Sequence, residues 1–169
     1  MQTQNRKRRV LPSLLRVCVV VAIGLVLLPL APLLIATYFA YASVLQIVIW
    51  VWWCTRGVNV LLVYSDSANW HDYIEANILP RLPASSVVIN WSDRRNWKWW
   101  SLPAMAARFF GGTREFNPMI VIFRPLHWAK TYRFWKPFKD HKHGKTEPLH
   151  ALETKLFNDL WRAGIGTAN

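Results

Sequence analysis

The sequence predicts an α/β protein that a helical hairpin anchors in a membrane. Residues 17–55 of the 169-residue chain contain no Asp, Glu, Lys, Arg or His, and an uncharged apolar run of this length is typical of a membrane segment. The residues after it alternate between short β-branched runs and amphipathic stretches, which is the pattern of a small α/β domain. The chain therefore divides into a basic tail, a membrane segment, an α/β domain and a flexible tail. In order, these are residues 1–16, 17–55, 56–163 and 164–169.

The membrane segment is nearly twice as long as a single untilted helical span, which takes about 20 residues. Pro29 and Pro32 lie near its middle, and proline removes a backbone donor and clashes with the preceding turn. We therefore predict a bend there, between two membrane helices at about residues 11–28 and 33–53. Two alternatives stay open: a single tilted span with an exported domain, and a secretory signal cleaved after the Ala-Tyr-Ala of residues 40–42.

Basic side chains set the expected orientation of the hairpin. Five cations precede the segment, and cytoplasmic flanks carry the excess of Lys and Arg. The domain holds the other sixteen of the 21 Lys and Arg, against nine Asp and Glu, so a hairpin places both basic flanks in the cytoplasm. We also expect headgroup contacts at the membrane interface. The residues assigned to them here are Arg8, Arg9, Trp50, Trp52 and Trp53.

The first half of the domain predicts a strand, a helix and a strand. Residues 58–64 are a β-branched and aromatic run typical of a buried strand. Apolar residues then recur at three- and four-residue spacings over residues 68–82, which predicts a helix with Ser67 or Asn69 as its cap. Residues 86–91 predict a second buried strand.

The second half of the domain predicts a short helix, two strands, a polar loop and a long helix. Their ranges, in order, are residues 102–110, 119–123, 131–138, 139–145 and 147–161. The second of these strands contains Pro137, which a sheet tolerates only at an edge or an end. The long helix has its apolar residues on one face, with Thr146 as its cap and Pro148 in its first turn.

This β-α-β-α-β-β-α order resembles that of the thioredoxin-like fold superfamily, and Pro118 directly before the third strand resembles it too. The resemblance covers residues 58–161 in order only. It implies the fold and a cis bond before Pro118, and the alternative is that Pro118 is an ordinary strand start. Where the family carries a Cys-containing loop after strand one, residues 65–70 contain no cysteine, so redox chemistry is not implied. A doubly wound flavodoxin- or Rossmann-like domain is the alternative, but it lacks a Gly-rich turn after strand one.

The turn between strand one and the first helix of the domain is a candidate ligand site. Ligands bind α/β domains at the carboxyl ends of strands, and the free amides of a helix start favour anions. The expected ligand is a phosphate or a carboxylate, with no cofactor. The candidate binding residues are Ser65, Asp66, Ser67, Asn69, Arg94 and Arg95. An ordinary strand-to-helix turn uses the same residue types.

No metal site is expected either. His141 and His143 flank a lysine in the polar loop, and alternating histidines can bind zinc. A zinc site needs three or four ligands, however, and neither a cysteine nor a second histidine pair lies nearby in the sequence. A solvated loop is therefore the favoured interpretation.

A second candidate surface interleaves tryptophan with cations. It consists of Arg94, Arg95, Trp97, Lys98, Trp99 and Trp100. Such a pattern suits a membrane interface, where rings and snorkelling cations meet anionic headgroups. Two other interpretations are stacking on single-stranded nucleic acid, which charge alone supports only weakly, and burial of the tryptophans in the core.

No motif specifies a reaction, because the domain has no thiol, no acid pair at a recognisable spacing and no phosphate-cradling glycines. We therefore expect a binding or assembly module on the cytoplasmic membrane face, in contact with the lipid bilayer and its anionic headgroups. A membrane protein is a further possible partner. The alternative is a membrane-bound enzyme acting on a phosphorylated or lipid-linked substrate, with Asp66 as acid or base and with Arg94, Arg95 or His141 holding the anion.

Overall fold

The structure is a computed structural model. It describes residues 3–112 and 117–165, and the side chains within them from residue 15 onward, apart from residues 20, 23, 25–27 and 29. The fold is mixed α/β, with one long apolar helix at the amino-terminal end and a four-stranded mixed sheet. The chain divides into two compact units, residues 1–43 and 44–169. The side chains of Arg8 and Arg9, and the predicted tail from residue 166 on, lie outside the described part.

The first helix, α1, spans Thr3–Trp52 and so begins inside the predicted basic tail. Its backbone is helical at Pro29 and Pro32, so the predicted bend and the hairpin are not shown. Proline removes one hydrogen bond and can kink a helix without ending it. Between the two prolines lie only Leu and Ala, which are strong helix formers, and no turn residue favours a reversal of the chain.

Helix α1 is apolar over most of its length. The stretch Leu30–Arg56 has 27 residues, and its most apolar 18-residue window has a mean hydropathy of 1.9 with 22% of it buried. In the first unit, Leu28, Leu33 and Phe39 are each exposed by more than half. Within the described part of the chain, this is the one helix that is long and apolar enough to cross a membrane.

The last turns of α1 belong to the second unit, where they form part of its core. Leu45, Ile49 and Trp53 are 2%, 0% and 6% exposed, and they pack on one face of the sheet. The Trp53 ring lies edge-on to Phe123, with 5.5 Å between the ring centres. The last part of the uncharged segment therefore has one face buried by protein, while Val44, Ile47 and Val51 remain exposed.

The sheet consists of four short strands in the order β2-β1-β3-β4. They span Val60–Tyr64 (β1), Val87–Asn90 (β2), Met119–Arg124 (β3) and His127–Arg133 (β4). Strand β1 runs parallel to β2 and antiparallel to β3, so that Leu62 lies opposite both Val88 and Ile120. Strand β4 pairs antiparallel with β3.

Helices cover both faces of this sheet. They span His71–Tyr73 (α2), Leu102–Gly111 (α3), Trp135–Lys142 (α4) and Glu147–Arg162 (α5). Side chains alternate along a strand, so Leu61 and Val63 of β1 face α3 and the end of α1. Val60, Leu62 and Tyr64 face α4, α5 and the segment that follows α2. All five residues of β1 are buried for this reason.

Four predicted elements are confirmed with shifts of at most two residues at either end: β1, β3, α3 and α5. The Asn117–Pro118 bond before β3 is cis. The predicted second strand is also present as β2, but it lies at the edge of the sheet rather than in the interior, and Val88 is 39% exposed. A short β-branched run does not reveal whether both of its neighbours are strands.

The predicted helix over residues 68–82 is shorter and irregular. Three α-helical residues are followed by a π-helical turn over Ile74–Ile78 and a 3-10 turn over Leu79–Arg81. Neither Ser67 nor Asn69 caps α2, because the capping position is Trp70, whose side chain makes no capping hydrogen bond. The Ser67 hydroxyl accepts a hydrogen bond from the backbone N–H of Asn69 in the turn before α2. Thr146 likewise precedes α5 without a capping bond from its side chain.

The region after β3 differs most from its prediction. The predicted edge strand over residues 131–138 is half strand and half helix, and the predicted polar loop over residues 139–145 is helical as far as Lys142. Pro137 is compatible with the first turn of α4, where the backbone N–H has no helical partner to lose. The alternation of apolar residues that predicted a strand across this boundary is fortuitous.

A carboxylate on α5 forms side-chain hydrogen bonds between that helix and β4. Asp159 accepts hydrogen bonds from the Lys130 ammonium and the Tyr132 hydroxyl. The bond from Lys130, and then the bond from Tyr132, lower the pKa of Asp159 below its usual 3.8. Burial, followed by the bond to Asp159, raises the pKa of Tyr132. The carboxylate is therefore more stable in the folded chain than in the unfolded one.

We expect Asp159→Asn to lower the free energy of unfolding by about 1–2 kcal/mol at pH 7, since charged hydrogen bonds are lost. A lowered carboxylate pKa stabilises the fold above the ordinary value of 3.8, and this contribution is lost as the pH falls through the folded pKa. Denaturant unfolding of the full chain between pH 7 and strong acid should therefore show the two proteins converging in acid. Asp93→Asn, at an exposed aspartate, is the control. A difference in the free energy of unfolding between the two proteins that stays the same at all pH values would contradict this account.

Candidate functional site

Polar residues after β1 and β2 come together at one edge of the sheet. The two strands are parallel, with Tyr64 opposite Asn90, so their carboxyl ends meet at that edge. The Asn90 amide donates a 2.6 Å hydrogen bond to the Asp66 carboxylate. The backbone N–H of Asp66 donates to the Ser92 hydroxyl at 3.1 Å. Asn90 ends β2 and Ser92 follows it; neither is among the predicted site residues, although polar residues at the end of a second predicted strand are a signal for this position.

The two predicted serines are engaged in local hydrogen bonds. Ser65 is 9% exposed, and its hydroxyl accepts a 3.2 Å bond from the Trp70 indole N–H. The Ser67 hydroxyl accepts from the backbone and the side-chain amide of Asn69, at 3.4 and 3.3 Å. These bonds shape the turn between β1 and α2, so both serines act as structural residues of that turn.

A histidine that the sequence prediction missed lies between two carboxylates in this site. His71 Nδ1 is 3.9 Å from Asp66 Oδ1, and His71 Nε2 is 3.6 Å from Glu75 Oε1. The imidazole stacks on the Tyr64 ring at 5.7 Å, and the Tyr64 hydroxyl donates to Glu75 at 3.0 Å. In the sequence, the only signal for this pair is that Glu75 follows His71 by four residues. This spacing places both on one side of a helical segment.

The charges of this site are those of an acidic cluster. Burial raises the pKa of Tyr64, and its bond to Glu75 and the charges of Glu75 and Asp66 raise it further, so the phenol is neutral at physiological pH. Two carboxylates repel a phosphate, which disfavours the anion site predicted at Asp66. Within the described residues, no three His, Cys, Asp or Glu side chains are placed to hold a metal ion.

The two arginines predicted to hold an anion lie in the segment after β2. The Arg94 guanidinium donates to the Trp91 carbonyl oxygen at 3.3 Å and lies 5.5 Å from the centre of the Trp91 ring. Arg95 is exposed. The described contacts of Arg94 are therefore with its own turn rather than with Asp66.

The predicted patch of tryptophans and cations separates into a packed part and an exposed part. Trp97 is half-buried, lies edge-on to Trp91 at 5.4 Å and packs against the core. Trp99 and Trp100 are 66% and 63% exposed, and Lys98 between them and Trp97 is exposed as well. The core interpretation therefore suits Trp97, and a surface role suits Trp99 and Trp100.

The three tryptophans at the end of α1 also differ from one another. Trp53 is a core residue, in contrast to its predicted interfacial position, because it faces the sheet. Trp52 is 57% exposed, with the Arg56 guanidinium 3.8 Å above its ring. Trp50 is half-buried, and its indole N–H donates to the His127 carbonyl oxygen at 3.2 Å. Interfacial contact is therefore compatible with Trp50 and Trp52.

The hairpin between β3 and β4 carries two exposed apolar residues that the sequence analysis missed. Arg124 pairs with His127, so the turn has two residues, Pro125 and Leu126. Leu126 is 84% exposed with a φ of +60°, and Trp128 is 71% exposed. Trp50 contacts the backbone of His127, so this turn, the β3–β4 tip, lies beside the end of α1.

We expect Trp97→Ser to lower the free energy of unfolding by about 2 kcal/mol or more, because it empties part of the core. Trp99→Ser and Trp100→Ser remove exposed rings, so each should change the free energy of unfolding by no more than about 0.5 kcal/mol. Denaturant unfolding of the three full-length variants measures this difference. Equal losses at all three positions would mean that the whole patch is packed.

The comparisons with known proteins find no match, so the function is inferred from the geometry of the chain itself. No protein-family model matches the chain. No curated protein and no solved structure match it either. The resemblance to the thioredoxin-like superfamily therefore stays a hypothesis that rests on the order of the elements.

Proposed function

We propose that the chain is a membrane-anchored α/β domain that serves as a non-catalytic binding or assembly module. The observation that carries the proposal is that an apolar helix, long enough to span a bilayer, ends as part of the core of the domain. Leu45, Ile49 and Trp53 are buried on the sheet, which leaves residues 17–43 for the hydrocarbon core, and about 20 residues suffice to cross it. Helix α1 is thus proposed to supply the anchor and, with its last turns, part of the core of the domain.

We further propose that the domain is thioredoxin-like. The strand order β2-β1-β3-β4, with a parallel pair followed by two antiparallel ones, suits that family, as does Pro118 directly before β3. Helices lie on both faces of the sheet. The turn after β1 carries Ser65 and Asp66 where the family carries cysteine, so the fold supports binding and not thiol chemistry.

A second candidate function is that of an enzyme acting on a phosphorylated or lipid-linked substrate. One observation favours it, namely that His71 lies between Asp66 and Glu75, since such a group can transfer protons. Two observations favour the binding module. The Asp66 carboxylate already accepts a hydrogen bond from the Asn90 amide, and the acidic cluster suits a cationic or hydroxyl-bearing group better than a phosphate.

The β3–β4 tip is the surface we propose to contact lipid. A non-glycine residue with positive φ is uncommon, and a turn with proline at its second position favours Gly or Asn at its third. Leu126 holds that third position with a φ of +60° and is nearly fully exposed. A leucine there gains free energy if its side chain leaves water for the membrane interface, and the neighbouring Trp128 suits the headgroup level.

The amino terminus is proposed to be cytoplasmic and the domain to lie on the opposite side of the membrane. Five cations precede the apolar segment, whereas only Arg56 follows it before Arg81. Cations close to the ends of a span set its orientation, and long domains cross largely regardless of their charge. This single-span arrangement replaces the cytoplasmic domain expected from a hairpin, because α1 is described as one helix.

We expect reporter tags fused beside Gln2 and after Asn169 to lie on opposite sides of the membrane. The reason is that one helix crosses the bilayer once, with its basic flank in the cytoplasm. Accessibility of each tag in sealed vesicles, before and after permeabilisation, measures this. Tags on the same side would restore the hairpin and the cytoplasmic domain.

We expect an environment-sensitive fluorophore on Leu126→Cys to report an apolar surrounding when the full chain is in lipid nanodiscs. The background carries Cys18→Ser and Cys54→Ser, so that one thiol is labelled. The same fluorophore on Val88→Cys is the matched control, since Val88 is also exposed and apolar but lies on the opposite edge strand. Emission at shorter wavelength at position 126 alone supports lipid contact, whereas identical spectra would refute it.

A further inference from the structure

A cavity of about 340 Å³ lies between α4 and the turn that precedes α2. Helix α4 lines it with Trp135, Phe138, Lys139 and Lys142. These residues recur at spacings of three and four and so share one helical face. Asn69 and Trp70 line the opposite side. The cavity thus joins the predicted ligand-binding turn to a helix whose lining residues were predicted as the end of an edge strand and as a polar loop.

Aromatic rings form the apolar part of this cavity. Phe138 is 4% exposed, and its ring centre is 6.3 Å from that of Trp70 and 5.2 Å from that of Tyr73. The Trp70 indole N–H is held by Ser65. Because these rings are fixed by the core and by a hydrogen bond, they present a preformed apolar surface to a ligand.

Two lysines give the cavity its charge. Lys142 Nζ donates a 3.2 Å hydrogen bond to Asn69 Oδ1, and Lys139 Nζ lies 5.3 Å from the centre of the Trp135 ring. No lining residue is acidic. Among the described ion pairs, Lys130 and Arg81 pair with carboxylates, but neither Lys139 nor Lys142 does.

Cations in the last turn of a helix also offset the helix dipole, so these charges alone would not indicate a site. Their position beside rings that line a half-open cavity is the additional feature. The volume lies at the lower end of the range for small-molecule sites, which is about 300–1,000 Å³. Aromatic walls and a few placed polar groups are the usual composition of such sites.

We propose that this cavity binds a small aromatic anion, that is, a planar ring bearing a phosphate or a carboxylate. The ring lies against Trp70, Phe138 and Trp135, and the anion accepts hydrogen bonds from Lys142 and Lys139. Asn69 holds the Lys142 ammonium in place. This names the ligand class of the binding module proposed above, and it depends neither on the side of the membrane nor on the β3–β4 tip.

Calorimetric titration of the full chain in nanodiscs of neutral phosphatidylcholine tests the proposal, with phenyl phosphate as the probe. Phenol supplies the ring without the charge, and inorganic phosphate supplies the charge without the ring. We expect phenyl phosphate to bind more tightly than either. Lys142→Gln should weaken it about tenfold, the usual effect of losing one charged hydrogen bond, and Trp135→Leu should reduce the preference over inorganic phosphate.

The matched control is Lys136→Gln, which removes the same charge from an exposed position of α4 that does not line the cavity. Unchanged affinity in this variant supports the site. Equal weakening by Lys136→Gln and Lys142→Gln would overturn it in favour of general attraction to a basic surface, as would phenyl phosphate binding no better than inorganic phosphate. The label at position 126, recorded on the same samples, shows separately whether the membrane contact is present.

Discussion

The burial of the last turns of α1 against the sheet is the contact on which the rest of the structure depends. Leu45, Ile49 and Trp53 cover the face of the sheet that α3 covers only in part. Truncating a buried Leu or Ile to Ala typically destabilises a domain by about 2–5 kcal/mol. Three such residues amount to a large share of the stability of a small domain. The end of helix α1 is therefore a structural element of the domain.

This arrangement also limits what the amino-acid pattern can reveal. Leu45, Ile49 and Trp53 are apolar because the sheet buries them, whereas the neighbouring Val44, Ile47 and Val51 are apolar and exposed. The preceding residues are apolar over a length that suits lipid. Both environments select Val, Leu, Ile and Trp. A run of such residues therefore reads as a single membrane segment, and its excess length led to the prediction of a bend at Pro29 and Pro32.

Elements with a strong local signal were predictable and those set by tertiary contacts were not. Strands β1 and β3 are buried on both faces and read as continuous apolar runs, and α5 has an apolar stripe with Pro148 in its first turn. The edge position of β2 depends on what lies beside it. The start of α4 depends on Phe134 and Phe138 entering the core, which alternation along the chain cannot show.

The candidate site shows the same division. The turn at Asp66 was predictable from its place after a buried strand. Asn90 and Ser92 reach Asp66 through the pairing of β1 with β2, so only their place at the end of the second predicted strand indicates them. His71 reaches Asp66 through the local path of the chain after β1, which residue spacing does not reveal. Among the tryptophans, composition identified an aromatic surface, but only the packing separates Trp53 and Trp97 from Trp52, Trp99 and Trp100.

The boundary between the two compact units has a consequence for maturation. It falls after residue 43, directly behind the small residues Ala40 and Ala42, which are of the kind that signal peptidases accept. A peptidase cutting there would remove the first unit and leave Leu45, Ile49 and Trp53 with the sheet. The product would keep the buried residues of its core, so a cleavage at this boundary is compatible with the fold of the second unit.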